Sequence, residues 1–277
     1  MSEIKFGKVE VTVPKQAARR MAILLWGPSG SGKTTLAATS PGKKLWINFD
    51  DGGTDCIASR DDILQVDLSS SPDNVVMGFR KAEAGMCRDL KKILEDDESI
   101  ETVVFDSLTT YGDKALQHGV IEAQGTAKGR SSTIEDPGFA GYGNKNTWTN
   151  LLVKNILQIT GQFNRHVIFI AHEDKPEKDD KGIVLHISIM LGSSLNEQLP
   201  VKLSEIWNLH DTGRERRIAV RACRARKPMK SRMFITSGEP EFIWDYNADT
   251  DEGSGIADWY AEWVKANGSK IKLPSDG

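Results

Sequence analysis

Residues 22 to 34 read Ala22-Ile23-Leu24-Leu25-Trp26-Gly27-Pro28-Ser29-Gly30-Ser31-Gly32-Lys33-Thr34. Five apolar residues run into a Gly-x-x-x-x-Gly-Lys-Thr pattern. A buried strand is expected up to Trp26, and after the glycines a helix that stops at Ser40, ahead of Pro41. Glycines let the backbone curl so that successive N–H groups face an anion, and the helix N-terminus adds partial positive charge. This pattern predicts a phosphate cradle made by Gly27, Pro28, Ser29, Gly30, Ser31, Gly32, Lys33, Thr34 and Thr35. Lys33 is expected to reach the β and γ phosphates of ATP, and the Thr34 hydroxyl to bind Mg²⁺. The competing reading is a chance glycine-rich turn; the strand before and helix after favour the cradle.

Working outward, short apolar runs recur at Leu45 to Phe49, Ile63 to Leu68, Thr102 to Phe105 and Val167 to Ile170, and read as buried parallel strands. Between them, Val76, Phe79, Met86, Leu90, Ile93 and Leu94 recur at helical spacing. So do Trp148, Leu151, Leu152, Ile156 and Leu157, closing at Gly161. The fold class is therefore α/β, a mainly parallel sheet flanked by helices. Later runs at Ile183 to Ile189, Ile206 to Leu209, Arg217 to Cys223, Arg232 to Ile235 and Phe242 to Trp244 predict a more β-rich C-terminal half that extends the same sheet.

Residues 1 to 20 read as an arm forming an edge strand or an oligomer contact, 21 to 245 as the core, and 246 to 277 as a C-terminal helix and tail. In that helix Ser254 is the expected cap, Ile256, Trp259, Tyr260, Trp263 and Val264 share a face, and Asn267-Gly268 closes the element. Residues 118 to 146 hold six glycines with little periodicity, which suggests a functional loop.

Two strand-end acids complete the phosphate chemistry. Thr102-Val103-Val104-Phe105-Asp106 closes an apolar strand on a carboxylate, expected to share Mg²⁺ with Thr34; its alternative is a helix N-cap. Leu45 to Phe49 leads into Asp50 and Asp51, and Asp50 is the first choice for general base over a simple Asp-Asp-Gly-Gly turn. The residue after Asp106 is Ser107, so no glutamate stands there to activate water. Val167 to Ala171 ends in His172, a candidate sensor of the γ phosphate or the attacking water, or a structural histidine.

Composition sets the surroundings. With a formal net charge of −3 and pI near 6.0, the chain has no global attraction to nucleic acid or anionic lipid, so any such binding needs a local patch. Three cysteines lie far apart without a Cys-x-x-Cys pair, against a disulfide framework or structural zinc. No run approaches a membrane span and no secretory stretch opens the chain, so a cytoplasmic location is expected.

The order of phosphate loop, strand-end Asp50, Asp106-Ser107 and strand-end His172 resembles the RecA-like ATPases. It is most similar to compact phage-encoded members, described as AAA-type nucleotide-binding proteins and single-strand annealing recombinases. Ile170-Ala171-His172-Glu173 matches their strand ending. The resemblance implies ATP hydrolysis with Mg²⁺, a homo-oligomer built as a ring or filament, single-stranded DNA as a partner, and possible cooperation with a single-stranded-DNA-binding protein. It also implies that Arg224-Ala225-Arg226 corresponds to the paired basic residues that reach a neighbouring subunit's ATP.

Arg214 to Arg232 holds nine Arg or Lys against one acid, Glu215, a density that fits a trans-acting arginine finger, a phosphate-backbone track or a solvated strand face. Strand alternation would put Arg224 and Arg226 on one face, Arg221 and Lys227 on the other. The resemblance assigns DNA contact to residues 118 to 146 and 173 to 197. The first offers Lys128, Arg130, Phe139 and Tyr142, with Lys145, a mixture suited to single strands. The second opens with five acids against three lysines over Glu173 to Lys181, which repels phosphate. No Asn/Thr-Lys-x-Asp element argues for GTP. The leading expectation is an ATP-dependent recombination protein that anneals or exchanges strands; the alternative is a regulatory or assembly ATPase acting on protein partners without DNA.

Overall fold

A computed structural model describes residues 5–6, 9–10, 19–127, 129–223 and 225–274. Strands β1 (Ala22–Gly27), β2 (Lys43–Asn48), β3 (Ile63–Asp67), β4 (Ile100–Asp106), β5 (His166–His172), β6 (Glu205–Asp211), β7 (Arg216–Ala219) and β8 (Glu241–Ile243) form one sheet. Its order is β8-β7-β6-β1-β5-β4-β2-β3, parallel from β6 through β3 and antiparallel across β6, β7 and β8. The expected mainly parallel sheet, extended by a β-rich C-terminal half, is what the chain builds.

Side chains alternate across the sheet, so each central strand feeds two cores. From β1, Ala22, Leu24 and Trp26 enter one layer, while Ile23 and Leu25 enter the other. The first layer packs helices α2 (Met86–Asp96), α3 (Leu108–Gln124) and α4 (Gly138–Gln162) through Leu90, Leu94, Tyr111, Leu152 and Ile156. The second packs α1 (Lys33–Ala38) and the C-terminal helix through Leu36, Ala37, Trp259 and Trp263. Helix α5 (Ser193–Lys202) precedes β6, and α6 (Ile256–Lys265) is the C-terminal helix.

Several expectations need correcting. Residues 118 to 146 are not one loop: α3 and α4 form an αα-hairpin, leaving only residues 125 to 137 as connector. Two of the hairpin's glycines, Gly119 and Gly141, serve helix packing. A Cβ on Gly119 would lie 2.9 Å from Asn144 Cβ, and one on Gly141 would lie 2.8 Å from Pro137 Cβ. Phe139, Tyr142 and Lys145 are therefore helical residues, and Lys128 lies outside the described residues.

The stretch Arg217 to Cys223 stays in the sheet only to Ala219, because Lys230 takes the edge of β6 at Ile206 and the chain between them must loop away. The alternation expected across Arg221 to Lys227 does not apply. Arg232 to Ile235 is no strand either: buried Glu205 accepts the Arg232 and Met233 N–H groups at 2.8 and 3.1 Å, which bends the segment. Of Ile183 to Ile189, only Val184–His186 pairs as a strand, with Glu177–Lys178, while Ile187 bridges Arg226 and Ile189 bridges Glu173.

The helical pattern from Val76 breaks at Lys81, which is extended, and Gly85, with φ of 57°, precedes α2. At the C-terminus Gly255, not Ser254, is the N-cap; Ser254 Oγ instead accepts from the Trp259 indole, and Val264 is exposed rather than packed. In the arm, Lys5–Phe6 and Val9–Glu10 pair with each other and not with the main sheet, so these residues form no edge strand of it; apart from Arg19 and Arg20, the arm's other residues lie outside the described ones. Among the described residues no helix is long and apolar enough to cross a membrane.

Candidate nucleotide site

Parallel strands deliver their carboxyl ends to one rim. Register pairs Gly27 of β1 with His172 of β5, and Asn48 of β2 with Asp106 of β4. A cavity of about 490 Å³ opens on this rim, lined by Gly30, Lys33, Thr34, Asp50, Asp106, His172 and Arg216 among others.

The phosphate loop begins where Gly27 approaches the Leu209 carbonyl too closely for any side chain. Gly32 has φ of 92°, and a Cβ there would lie 3.0 Å from the Trp244 ring, so glycine is required twice over. Helix α1 then opens with Lys33. Its ammonium is buried and donates to the Gly27 and Pro28 carbonyls at 3.1 and 2.7 Å. Burial lowers its pKa to about 8, against the opposing pull of Asp106, Asp50 and Glu173.

Asp106 is 2 % exposed, and its Oδ2 accepts the Thr34 hydroxyl at 3.1 Å. Burial, with the Asp50 charge nearby, pushes its carboxyl up to about 7, despite the Thr34 bond and the Lys33 charge. It is not the helix cap: Ser107 holds that position, its Oγ accepting the Thr110 N–H at 3.3 Å. A desolvated carboxylate touching a hydroxyl offers hard oxygen donors, which fits Mg²⁺ shared with a nucleotide. Among the described residues there is no group of three or more His, Cys, Asp or Glu that could hold a metal ion.

Asp50 is held from two sides. Ser107 Oγ donates to its Oδ1 at 3.2 Å, and His172 Nε2 lies 3.5 Å from its Oδ2. Burial pushes its pKa up, but bonds from His172, Thr110 and Ser107 outweigh it and hold the carboxyl below its usual value. Asn48 fixes the turn, its amide donating to the Asp50 carbonyl at 2.7 Å. Asp51 lines the cavity but is exposed. The His172 N–H donates to Thr109 Oγ1 at 2.9 Å, setting the strand end against α3.

The structure does not bring the other named residues here. Arg226 Nε lies 3.3 Å from Glu173 Oε2 in the same chain, and Arg224 lies outside the described residues. Arg130, Phe139 and Tyr142 belong to the hairpin tip, Phe139 being 99 % exposed. Sequence reasoning missed Arg216, Ser107 and Thr110. Arg216 had a signal: it lies in the basic stretch, two residues before the buried Ile218.

Among curated proteins none matches this sequence. Among solved structures, the chain is similar to one titled crystal structure of the RadB recombinase, at 15 % identity and a TM-score of 0.40, covering 84 % of this chain and 90 % of that one. A family described as AAA domain matches residues 19–242. With the phosphate loop, Asp106 and the sheet rim inside that span, the chain belongs to this AAA domain family of P-loop ATPases.

Proposed function

We propose that this chain is an ATP-dependent RecA-like recombination protein that hydrolyses ATP with Mg²⁺, binds single-stranded DNA and promotes annealing or strand exchange. The nucleotide half rests on the rim. Lys33 would leave the Gly27 and Pro28 carbonyls for the β and γ phosphates, while Thr34 and Asp106 hold Mg²⁺. When bound, the metal would neutralise charge on the phosphate oxygens. Asp50, kept ionised by its donors, orients the attacking water and accepts its proton, and His172 reports the state of that carboxylate.

The DNA half rests on one observation. Phe139 is almost fully exposed at the tip of the α3/α4 hairpin, with Tyr142 half exposed one turn on and Arg130 in the connector. An exposed ring costs free energy in water and is a stacking platform for a base. A different observation favours the regulatory reading: Ile183, Val184 and Leu185 are exposed beside the acidic run Glu173 to Lys181, a surface suited to protein and not to phosphate.

Electron microscopy of the protein with Mg²⁺ and a non-hydrolysable ATP analogue, with and without single-stranded DNA, tests the choice. DNA-dependent rings or filaments support recombination. Absence of DNA binding at low salt with the analogue present overturns it in favour of protein partners.

A further inference from the structure

Three arginines near the rim differ in what surrounds them. Arg217 is paired with Glu215, Nε to Oε1 at 2.6 Å, and with Glu241 at 3.3 Å. Arg226 is paired with Glu173. Arg216 makes no ion pair and no side-chain hydrogen bond among the described residues, although it is half-buried and lines the nucleotide cavity.

Its position is fixed by the sheet. Arg216 opens β7 opposite Asp211 of β6, and its carbonyl accepts the Trp244 N–H at 2.9 Å. Alternation sends Arg217 to the Glu241 side and Arg216 to the α1 side, with Ile218. There its Cδ and Nη1 would each lie 3.7 Å from a Cβ on Gly32, so the guanidinium lies against the residue that precedes Lys33. Arg216, with no ion pair of its own among the described residues, and the buried Lys33 ammonium both line this cavity. An anion that enters it meets both charges, and the planar five-donor fork of arginine suits phosphate oxygens. Arg214, exposed at the preceding turn, shows what a merely solvated arginine looks like in this stretch.

We propose that Arg216 is a phosphate-contacting arginine supplied in cis, closing over the phosphate chain of the nucleotide bound by its own subunit. This rests on the reading of Gly27 to Thr34 as the phosphate site. The strand that extends the parallel sheet thereby carries one charge of the site, which no neighbouring subunit has to provide.

The test compares the full chain with Arg216→Ala, Arg216→Lys and Arg216→Gln, with Lys33→Ala as control, in steady-state ATP hydrolysis and in binding of a non-hydrolysable ATP analogue. Arg216→Ala is expected to lose at least about 10²-fold in kcat, the scale of one preorganised charge-stabilising donor. Lys should recover part of the loss and Gln none, a split a packing role would not produce because both keep a stem over Gly32. If Arg216→Ala melts early, that Lys and Gln pair carries the comparison. Mixing Arg216→Ala with Lys33→Ala should restore nothing, since each lacks a group that must come from within. Hydrolysis within about threefold of the parent in both Ala and Gln variants, while Lys33→Ala is inactive, overturns the proposal and leaves the phosphate site standing. Recovery on mixing overturns the cis assignment. Normal turnover by Lys33→Ala would instead sink the phosphate-site reading itself, and this proposal with it.

Discussion

His172 Nε2 lies 3.5 Å from Asp50 Oδ2, joining the end of β5 to the turn after β2 across the intervening strand β4. The contact lies on the cavity that Lys33, Thr34 and Asp106 also line. With Ser107 and Thr110 it holds the Asp50 carboxyl below its usual value, while burial pushes Asp106 up to about 7. Two acids in one site thus have environments that drive their pKa values apart, which is the basis for expecting different work from each.

Asp50→Asn is therefore expected to leave nucleotide binding nearly intact and to lower hydrolysis by about 10² to 10⁴. Asp51→Asn should hydrolyse at close to the parent rate, because that side chain is exposed and, among the described residues, no donor holds it at the rim. Parallel equilibrium binding and single-turnover assays check both. Loss of turnover in Asp51→Asn alone would exchange their roles.

How much of this the sequence carried follows from the physics of each element. The five central strands are legible because apolar runs of that length bounded by turns have few other uses, and the phosphate loop because its spacing serves a definite anion. The αα-hairpin was not, since glycines that read as loop are there to let α3 and α4 approach, at Gly119 and Gly141. Arg216 was visible only as one of nine basic residues. Which of them faces the nucleotide depends on the register of β7 against β6, which pairwise sheet contacts set and composition does not.

His166 supplies a pH dependence of stability. Burial, with the Arg20 charge adding to it, lowers its pKa to about 4 from 6.5, and its Nδ1 accepts the Met21 N–H at 2.9 Å. The unfolded chain takes up a proton below about pH 6.5 that the folded chain refuses until about pH 4, so stability falls as pH drops through that window. The loss from this residue is about 3 kcal/mol between those limits. Denaturant melts of His166→Asn, whose amide oxygen replaces the Nδ1 acceptor, should show lower stability at pH 7 and a flatter profile from pH 6.5 to 4. An unchanged slope would assign the acid sensitivity to other groups.

For the hairpin tip, Phe139→Ala is expected to weaken single-stranded DNA binding by about 1 to 3 kcal/mol, the worth of one stacked base, with little change in salt dependence. Arg130→Ala should do the reverse: a smaller loss of affinity, but a log–log salt slope shallower by about 0.7 for one lost phosphate contact. Fluorescence anisotropy with an oligothymidylate across a salt series separates the two. If neither variant changes affinity, DNA does not use this tip, and the basic residues between Arg214 and Arg232 become the track to test.

Catalysis between subunits, if the chain assembles, is tested at Arg226. Its guanidinium is held by Glu173, whose own N–H donates to the Gly27 carbonyl at 3.0 Å, so the pair ties the basic stretch to the start of the phosphate loop within one chain. A role on a neighbour's nucleotide therefore requires that pair to open on assembly. If it does, specific activity rises with protein concentration, and Arg226→Ala lowers it by about 10³ or more while ATP stays bound. Mixing Arg226→Ala with Lys33→Ala then restores partial hydrolysis, because the first subunit keeps an intact phosphate loop and the second keeps the arginine. Arg216 in the same mixing experiment should restore nothing, so the two arginines are told apart by one design. Concentration-independent activity with no recovery, together with a lowered melting temperature in Arg226→Ala, would make the Glu173 pair a structural clamp and end the case for catalysis between subunits.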